Sequence, residues 1–296
     1  MKKLRIDQNI SLAPFTSWLI GGEAEFICFP KTIEQLQEAQ RFAQEKKIVV
    51  TILGGGSNVL ISDQGVRGLV ICLKNFNQLE VTTSLERVAI SAFAGAGKSE
   101  LLRVFLKHKL SPALFLAGLP GQVGGGVVMN AGVAESFHPR EFVDFTDWVE
   151  VLKPDGSLVL YKKEDLRWEY RHCSGWEPGI VTRVGISWEN RADDSILVQV
   201  REANRTRLLR QPLDMPSCGS VFVNPPGYKA AQLIDSCGLK GYAVGGALVS
   251  TKHANFIVNS GQATAEDILQ IINHVQKMVF SKTGVELKTE VVRLGF

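Results

Sequence analysis

Two glycine-rich segments are the parts of this chain best suited to hold a ligand against the main chain. The stretch Gly118–Gly132 places six glycines in fifteen positions, and the cluster Gly54–Asn58 follows the apolar run Ile48–Leu53, which we interpret as a buried strand. Glycine costs roughly 0.5–1 kcal/mol relative to alanine in regular structure, so this density indicates unusual dihedrals or a ligand lying on the backbone. Bare N–H groups suit a phosphate or a flat heterocycle. We therefore expect both segments to form the walls of one cofactor cleft.

The residues that we expect to contact the cofactor all come from these two segments. They are Gly54, Gly55, Gly56, Ser57, Asn58, Pro120, Gly121, Gly124, Gly125, Asn130 and Gly132. The alternative is that both segments are structural turns, because loops concentrate glycine without any function. The residues alone leave this alternative open.

Three polar side chains could do chemistry, although none is specific by itself. Arg171 lies between two predicted strands and could place its guanidinium on a carboxylate, or serve as a surface charge. Ser220 follows Gly219 and could donate a proton from its hydroxyl, or cap the backbone of a turn. Glu290 lies in a predicted terminal strand, where a carboxylate most often faces solvent. For each residue the structural alternative stays open at this point.

The segment Gly95-Ala96-Gly97-Lys98-Ser99 is similar to the end of a triphosphate-binding loop, in which backbone N–H groups and a lysine cradle phosphates. That pattern requires a glycine where this chain has Ala92, and no matching acidic strand follows. No G-x-G-x-x-G segment occurs either, which disfavours a dinucleotide site of the Rossmann type. If the glycine segments hold a nucleotide cofactor, they do so in another fold.

Composition and charge exclude several classes of partner. The chain has 296 residues, 45% hydrophobic content and a net charge of +3, without a basic block that would follow a nucleic acid. No apolar run is long enough to cross a bilayer, so we expect no membrane insertion and a cytoplasmic location. The five cysteines lack paired spacing and the five histidines are scattered, so we expect reduced thiols and no metal site.

Local patterns predict the elements that position these residues. A capping box at Thr32–Gln35 predicts a helix that ends at Lys46-Lys47, and a second box at Thr264–Asp267 predicts a late helix. Two prolines in Gln211–Pro216 mark the last domain boundary in an α+β pattern. Further strands are predicted at Leu79–Val81, Val88–Phe93, Phe145–Leu152, Leu158–Tyr161, Ile180–Trp188 and Leu287–Leu294, and further helices at Ser99–Lys109, Asp193–Arg210 and Lys229–Cys237.

Taken together in order, these segments resemble the bacterial UDP-N-acetylenolpyruvoylglucosamine reductases, and the resemblance runs from end to end. It is carried by Asn9–Thr16, Ile20–Glu25, Gly54–Leu60, Gly118–Gly132, Tyr170-Arg171, Gln211-Pro212, Gly219–Phe222, Asn224-Pro225, Gly238–Gly241, Lys252–Asn259 and the terminal strand with Glu290. The short connection between Arg171 and the Ile180 strand leaves no room for the extra tyrosine-bearing loop of the longer family type. The chain therefore resembles the shorter type.

The resemblance implies a fold, a cofactor and a reaction. The fold is α+β, with a two-part FAD-binding region of the vanillyl-alcohol-oxidase type in residues 1–73 and 74–210 and a C-terminal α/β substrate domain in 211–296. NADPH is the implied hydride-donating cosubstrate, FAD carries the hydride, and an enolpyruvyl ether on a UDP-sugar is reduced to a lactyl ether. The partners are then the UDP-sugar and NADPH, without nucleic acid, and we expect a monomer.

The resemblance also implies roles for individual side chains. Arg171 and Glu290 would hold the substrate carboxylate, with Glu290 in its protonated form, and Ser220 would donate a proton to carbon. Further substrate contacts are implied for Asn224, Lys240, His253 and Asn255. Leu19 and Val223 stand where many members have a basic residue, so recognition of the nucleotide differs here in detail.

Two other classes of function remain compatible with the sequence. A flavin oxidase or dehydrogenase of the same fold superfamily would share the glycine segments and would be expected to lack the set Ser220, Asn224 and Glu290. A flavin-binding or nucleotide-binding module without catalysis would share only the glycine segments, because fold alone does not determine function.

Overall fold

A computed structural model describes residues 3–133 and 138–296, which belong to two compact units. Unit 1 comprises Met1–Asp7, Ile27–Gly55 and Leu69–Thr206. Unit 2 comprises Gln8–Phe26, Gly56–Gly68 and Arg207–Phe296. The predicted division into 1–73, 74–210 and 211–296 stays a prediction.

Runs of strands and runs of helices follow one another along the chain, as the α+β pattern predicts. The strands are β1 (Ile6–Ser11), β2 (Glu23–Cys28), β3 (Val50–Leu53), β4 (Val59–Ile61), β5 (Val66–Cys72), β6 (Leu79–Thr83), β7 (Arg87–Phe93), β8 (Thr146–Leu152), β9 (Leu158–Lys162), β10 (Arg167–Glu169), β11 (His172–Ser174), β12 (Ile180–Glu189), β13 (Ala243–Val244), β14 (Ala247–Val249), β15 (Ile257–Asn259) and β16 (Val292–Leu294). The helices are α1 (Ile33–Lys46), α2 (Lys98–Lys107), α3 (Pro112–Ala117), α4 (Val123–Val128), α5 (Ile196–Arg210), α6 (Ala230–Ser236) and α7 (Ala265–Thr283).

The centre of unit 1 is an antiparallel five-stranded sheet in the order β6-β7-β12-β8-β9. Strand β12 occupies the middle, and seven of its ten residues are buried, with β7 on one side and β8 on the other. Thr182 and Arg183 on β12 both hydrogen-bond the Glu150 carboxylate of β8, and the shorter Arg183 contact measures 2.6 Å. Burial by itself would raise the pKa of Glu150. The hydrogen bonds from Arg183 and Thr182 stabilise the charged carboxylate and outweigh burial, so the pKa is lowered.

The run Ile48–Leu53 was predicted to be a buried strand, and this is wrong in burial and in one boundary. Strand β3 begins at Val50 and is the last strand in the order β1-β2-β5-β3, which leaves Val49 74% exposed. The apolar strand that is buried is its parallel neighbour β5. Periodicity cannot distinguish these two apolar runs, because it does not report the order of strands in a sheet.

The predicted loop Gly118–Gly132 also differs from expectation, because it contains the helix α4. An added Cβ at Gly126 would lie 2.3 Å from the Phe142 ring, and one at Gly124 would lie 2.7 Å from the Ala94 Cβ. Glycine therefore allows this helix to pack against its neighbours at backbone distance. Phe142 belongs to an aromatic cluster with Phe115 and Phe145, which forms part of the core of unit 1.

Unit 2 has a core of its own beneath α7. Ile268, Ile272, Val275 and Val279 lie on one face of this helix and are buried. The capping box is present, because the Thr264 hydroxyl accepts a hydrogen bond from Asp267 N–H and the Asp267 carboxylate accepts one from Thr264 N–H. The antiparallel sheet β13-β14-β15 is also part of this unit.

The predicted terminal strand Leu287–Leu294 is shorter in the structure, where β16 begins at Val292. The residues before it make single bridges instead of a continuous ladder, and Thr289 pairs with Phe222. The five cysteines are free and buried. Within residues 3–133 and 138–296, no helix combines the length and apolar character that crossing a membrane requires.

Candidate active site

Unit 1 brings parts of the two glycine segments together. An added Cβ at Gly55 would lie 3.2 Å from the Gly121 Cα, and one at Gly54 would lie 3.3 Å from the Gln122 Oε1. Two backbone hydrogen bonds, from Lys98 N–H to Gly121 O and from Val123 N–H to Ala96 O, fix the second segment against residues 96–98. Residues 54–55 of the first segment and 121–122 of the second therefore lie close together in this unit.

These segments retain polar atoms that no described residue satisfies. The Gln122 Oε1 is buried without a hydrogen-bond partner among the described residues. The N–H of Gly55, which is exposed, also has no described acceptor. A buried unsatisfied polar atom costs about 1–3 kcal/mol, so such an atom commonly marks a ligand contact. FAD supplies both the N–H and hydroxyl donors that Oε1 needs and the oxygen acceptors that an N–H needs. The residues present therefore fit this cofactor.

Gly125 differs from its two glycine neighbours. It is exposed, and an added Cβ would meet nothing within 4 Å. The N–H of Gly124 is already bonded to Ala94 O at 2.8 Å. Gly124 therefore serves the packing of the helix, whereas Gly125 presents open backbone to a ligand. Pro120 is exposed in the same segment and Gly121 has a left-handed backbone with φ of 90°.

Asn130 is buried and fixes the end of the glycine stretch. Its amide nitrogen donates to the Glu141 carboxylate and to Glu169 O, each at 3.0 Å, and its oxygen accepts from Val143 N–H at 3.1 Å. Both amide donors are used within the protein, which indicates a positioning role for this residue. Gly132 leaves space for a neighbouring guanidinium, because an added Cβ would lie 2.9 Å from the Arg171 Nη1.

Arg171 lies in unit 1, in the turn between β10 and β11, with a left-handed backbone at φ of 60°. Its Nη2 donates to Gly132 O at 3.0 Å, and its Nη1 lies 3.7 Å from the Glu141 Oε1. The guanidinium also stacks on the Tyr170 ring, with 4.6 Å between the Arg171 Cζ and the ring centroid. Its side chain is only 13% exposed, so the surface-charge alternative does not describe this residue.

The remainder of the first glycine cluster belongs to unit 2. Gly56 has φ of 63°, and an added Cβ would overlap Phe15 O, so this position requires glycine for backbone reasons. Its N–H and that of Ser57 have no acceptor among the described residues. Asn58 donates through its side chain to Glu290 O at 3.1 Å and accepts through its own carbonyl from Val292 N–H. Asn58 therefore positions the segment that carries Glu290.

Unit 2 brings Ser220 and Glu290 together, which the sequence could not show. The N–H of Glu290 donates to Val221 O at 2.8 Å, and Val223 N–H donates to Lys288 O at 3.0 Å, so the two segments run side by side. Ser220 is half-buried, and its hydroxyl makes no hydrogen bond to a described residue. It is therefore not the turn cap that the structural alternative predicts.

A buried thiol lies close to this pair. Burial, and then the nearby charge of Glu290, raise the pKa of Cys218 well above its usual value. The thiol accordingly stays protonated and does not compete as a nucleophile, because thiolate is the reactive form. Ser220 is thus the residue of this segment that is suited to donate a proton.

The four residues expected to contact substrate lie in unit 2 with different surroundings. The buried Asn255 amide accepts a hydrogen bond from Phe222 N–H at 3.0 Å and donates one to Phe222 O at 2.8 Å, which fixes the segment after Ser220. Burial and then the Lys240 charge lower the pKa of His253, so this imidazole is neutral at pH 7. Lys240 itself pairs with Asp235 at 2.7 Å, and the exposed Asn224 accepts a hydrogen bond from Ala230 N–H.

Sequence reasoning missed three residues of the site in unit 1. Glu141 holds both Asn130 and Arg171, Gln122 supplies the unsatisfied oxygen, and Lys98 is almost completely buried beside them. The only signal in the sequence was the lysine of the rejected phosphate-loop pattern. The sequence around Glu141 gives no sign that this residue differs from a solvent-exposed glutamate.

Known proteins match the chain over its whole length. Residues 24–161 match the FAD binding domain family, and residues 211–294 match the C-terminal domain of UDP-N-acetylenolpyruvoylglucosamine reductase. The reductase of Moorella thermoacetica is 40% identical over 98% of this chain and 93% of its own length, and that of Caldanaerobacter subterraneus is 38% identical over 100% and 95%.

A solved structure gives the same result. The crystal structure of the UDP-N-acetylenolpyruvylglucosamine reductase from Thermus caldophilus has a TM-score of 0.80 and 35% identity, over 98% of this chain and 99% of that one. The predicted α+β class, with an FAD-binding region of the vanillyl-alcohol-oxidase type followed by a distinct C-terminal domain, is confirmed by these matches. The chain therefore belongs to the UDP-N-acetylenolpyruvoylglucosamine reductase family.

Proposed function

We propose that Arg171, Ser220 and Glu290 catalyse the reaction of this family in this chain, which reduces UDP-N-acetylglucosamine enolpyruvate to UDP-N-acetylmuramate in peptidoglycan precursor synthesis. The chain is an FAD-dependent oxidoreductase. Bound FAD supplies the redox chemistry, taking hydride from NADPH for delivery to the substrate vinyl carbon. The observation that supports the roles most strongly is the side-by-side placement of the Ser220 and Glu290 segments in unit 2.

The chain's own residues must stabilise the charge that hydride addition creates. Addition at the terminal vinyl carbon moves negative charge toward the adjacent carboxylate and gives an enolate-like species, which preorganised donors stabilise. We assign this role to the Arg171 guanidinium, already oriented by Gly132 O and Glu141. Glu290, in its protonated form, is the second group that we assign to this carboxylate.

Protonation of the other carbon completes the reduction. A general acid must lie within hydrogen-bond reach of that carbon, and the Ser220 hydroxyl is the group that we assign. Since no described residue uses this hydroxyl, it is available to donate. Asn255 and Asn58 are positioning residues in this scheme, because they fix the backbone on either side of the Ser220 and Glu290 pair.

Substrate recognition and cellular setting complete the proposal. Lys240, His253 and Asn224 lie in unit 2, and we assign them to the UDP-sugar. The neutral His253 can accept or donate a hydrogen bond, and Lys240 carries charge that suits a phosphate. We also propose that the protein acts in the cytoplasm as a monomer.

The proposed reaction is tested directly by turnover. The purified protein, loaded with FAD, is expected to oxidise NADPH only when UDP-N-acetylglucosamine enolpyruvate is added, and to form UDP-N-acetylmuramate in equal amount. Chromatographic quantification of the product together with the loss of NADPH absorbance provides the measurement. NADPH oxidation at the same rate without the enolpyruvyl substrate would support the flavin oxidase alternative instead.

Gly125→Val is expected to prevent FAD binding while the protein still folds. A Cβ at this position meets no protein atom within 4 Å, so the valine should not disturb the fold. It would instead occupy the volume in which we place the cofactor. Flavin absorbance per folded protein, with circular dichroism as the check on folding, measures the result. Gly126→Val is the contrasting variant, because its side chain would overlap Phe142 and should damage the fold itself. A folded Gly125→Val protein with a full complement of FAD would remove Gly125 from the cofactor site.

A further inference from the structure

Lys98 is a buried cation that the reaction scheme above does not use. It is the first residue of α2 and only 5% exposed, and its ammonium lies 5.3 Å from the centroid of the Phe142 ring. Among residues 3–133 and 138–296, no carboxylate pairs with this ammonium and no acceptor bonds it. An aromatic face compensates only a small part of the hydration that such a group loses on burial.

The electrostatic surroundings of Lys98 are also unfavourable to a cation. Burial, and then the charge of Arg171, lower the pKa of Lys98 to about 7. Its place in the first turn of α2 adds the positive end of the helix dipole. A methionine would fill the same volume without these costs, and no described residue supplies an anion that compensates the ammonium for them.

Arg171 and Lys98 contact two segments that pair with each other. The segments 131–132 and 141–142 are paired by the hydrogen bond from Phe142 N–H to Ala131 O. Arg171 bonds Gly132 O of this pair, and Lys98 lies over the ring of Phe142. Two cationic side chains from different elements are therefore placed around one feature of unit 1.

The other charged groups around this feature already have protein partners. Glu141 accepts from Asn130 and pairs with Arg171, and the Asp144 carboxylate accepts from the N–H groups of Arg140 and Glu141. On α2 itself, the Glu100 carboxylate accepts from Gly97 N–H. The helices α3 and α4 contribute no charged residue. None of these described acids pairs with Lys98, which favours binding of an external anion by its ammonium.

We propose that Lys98 is the second cation of an anion site at Arg171, and that its ammonium binds the carboxylate of the enolpyruvyl substrate. This inference rests on the role that we propose for Arg171. An ammonium at this position suits any anion. The pyrophosphate of bound FAD is the other anion that this protein would hold. The experiment therefore measures FAD content and substrate binding separately.

Proton uptake on binding is the signature of this site. With a pKa of about 7, Lys98 is mostly neutral at pH 8 in the substrate-free protein. A bound carboxylate favours the charged form and raises the pKa of Lys98, so binding at pH 8 must take up part of one proton. At pH 6 the lysine is already charged, and its contribution to the uptake disappears.

The test compares three variants of the FAD-loaded protein by titration calorimetry at pH 8 in buffers of different ionisation enthalpy. In Lys98→Met, affinity for UDP-N-acetylglucosamine enolpyruvate should fall about 10- to 100-fold, the effect of one charged hydrogen bond, and the proton uptake should decrease by the part that Lys98 contributes, while any part from Glu290 remains. Lys98→Arg should bind tightly and show the same decrease in uptake, because arginine keeps its charge. Lys107→Met removes an exposed lysine from the same helix and should change nothing.

Further measurements distinguish binding of the substrate carboxylate from binding of the FAD phosphates. UDP-N-acetylglucosamine lacks the carboxylate, so its affinity should be the same in Lys98→Met and the unchanged protein. The melting temperature of Lys98→Met should stay equal or rise, because the variant removes a buried amine that has no partner among the described residues. Loss of FAD from this variant would assign Lys98 to the cofactor phosphates and overturn the proposal, as would unchanged affinity and uptake for the enolpyruvyl substrate. Failure of the unchanged protein to turn over this substrate would instead contradict the proposed function.

Discussion

Ser220→Ala is expected to leave reduction of the bound flavin by NADPH unchanged and to slow its reoxidation by the enolpyruvyl substrate by ~10²–10⁴-fold, because a positioned proton donor contributes about that factor. The first half-reaction does not involve the Ser220 hydroxyl in the proposed scheme. Stopped-flow absorbance resolves the two half-reactions. The structure favours a clean result, since no described residue bonds this hydroxyl and the substitution removes no described hydrogen bond.

Two companion variants make this test specific. Ser220→Cys should retain more activity than Ser220→Ala, because a thiol can also donate a proton. Ser217→Ala alters a serine three residues earlier in the same segment and should leave both half-reactions unchanged. Equal slowing of both half-reactions in Ser220→Ala, or no slowing of the second, would reject Ser220 as the proton donor.

Arg171→Lys is expected to lower turnover by about 10²–10³-fold, the range found when one preorganised donor to a developing anion is removed. An ammonium keeps the positive charge but cannot reproduce the planar donor set that bonds Gly132 O and lies beside Glu141. Steady-state kinetics with the enolpyruvyl substrate measure the loss. Arg167→Lys, on the neighbouring strand and exposed, is the matched control and should be fully active. Full turnover by Arg171→Lys would mean that this guanidinium does not act on the substrate.

Local sequence signals predicted the helices well where their ends are chemically marked. Thr32 caps α1 by accepting a hydrogen bond from Gln35 N–H, and Lys47 ends the helix in a left-handed conformation at φ of 56°. The capping box at Thr264 marks α7 in the same way. These contacts form between residues three or four positions apart, so a short stretch of sequence contains all the information.

The failures of prediction concern contacts between distant residues. The exposure of β3 depends on its edge position in a sheet, and α4 depends on glycines that allow Ala94 and Phe142 to approach. The site shows the same limit. The resemblance supplied Ser220 and Glu290, but only the fold shows that their segments pair, and only the fold shows that Lys98 is buried beside the elements that hold Arg171.

The most direct test of the proposed catalysis is a single-turnover experiment without oxygen. The FAD-loaded protein is reduced with one equivalent of NADPH and then mixed with UDP-N-acetylglucosamine enolpyruvate, while flavin absorbance and product are followed together. We predict that the oxidised flavin spectrum returns and that UDP-N-acetylmuramate forms in an amount equal to the flavin. A flavin that stays reduced in the presence of this substrate, or that is reoxidised without forming the lactyl ether, would contradict the proposed function.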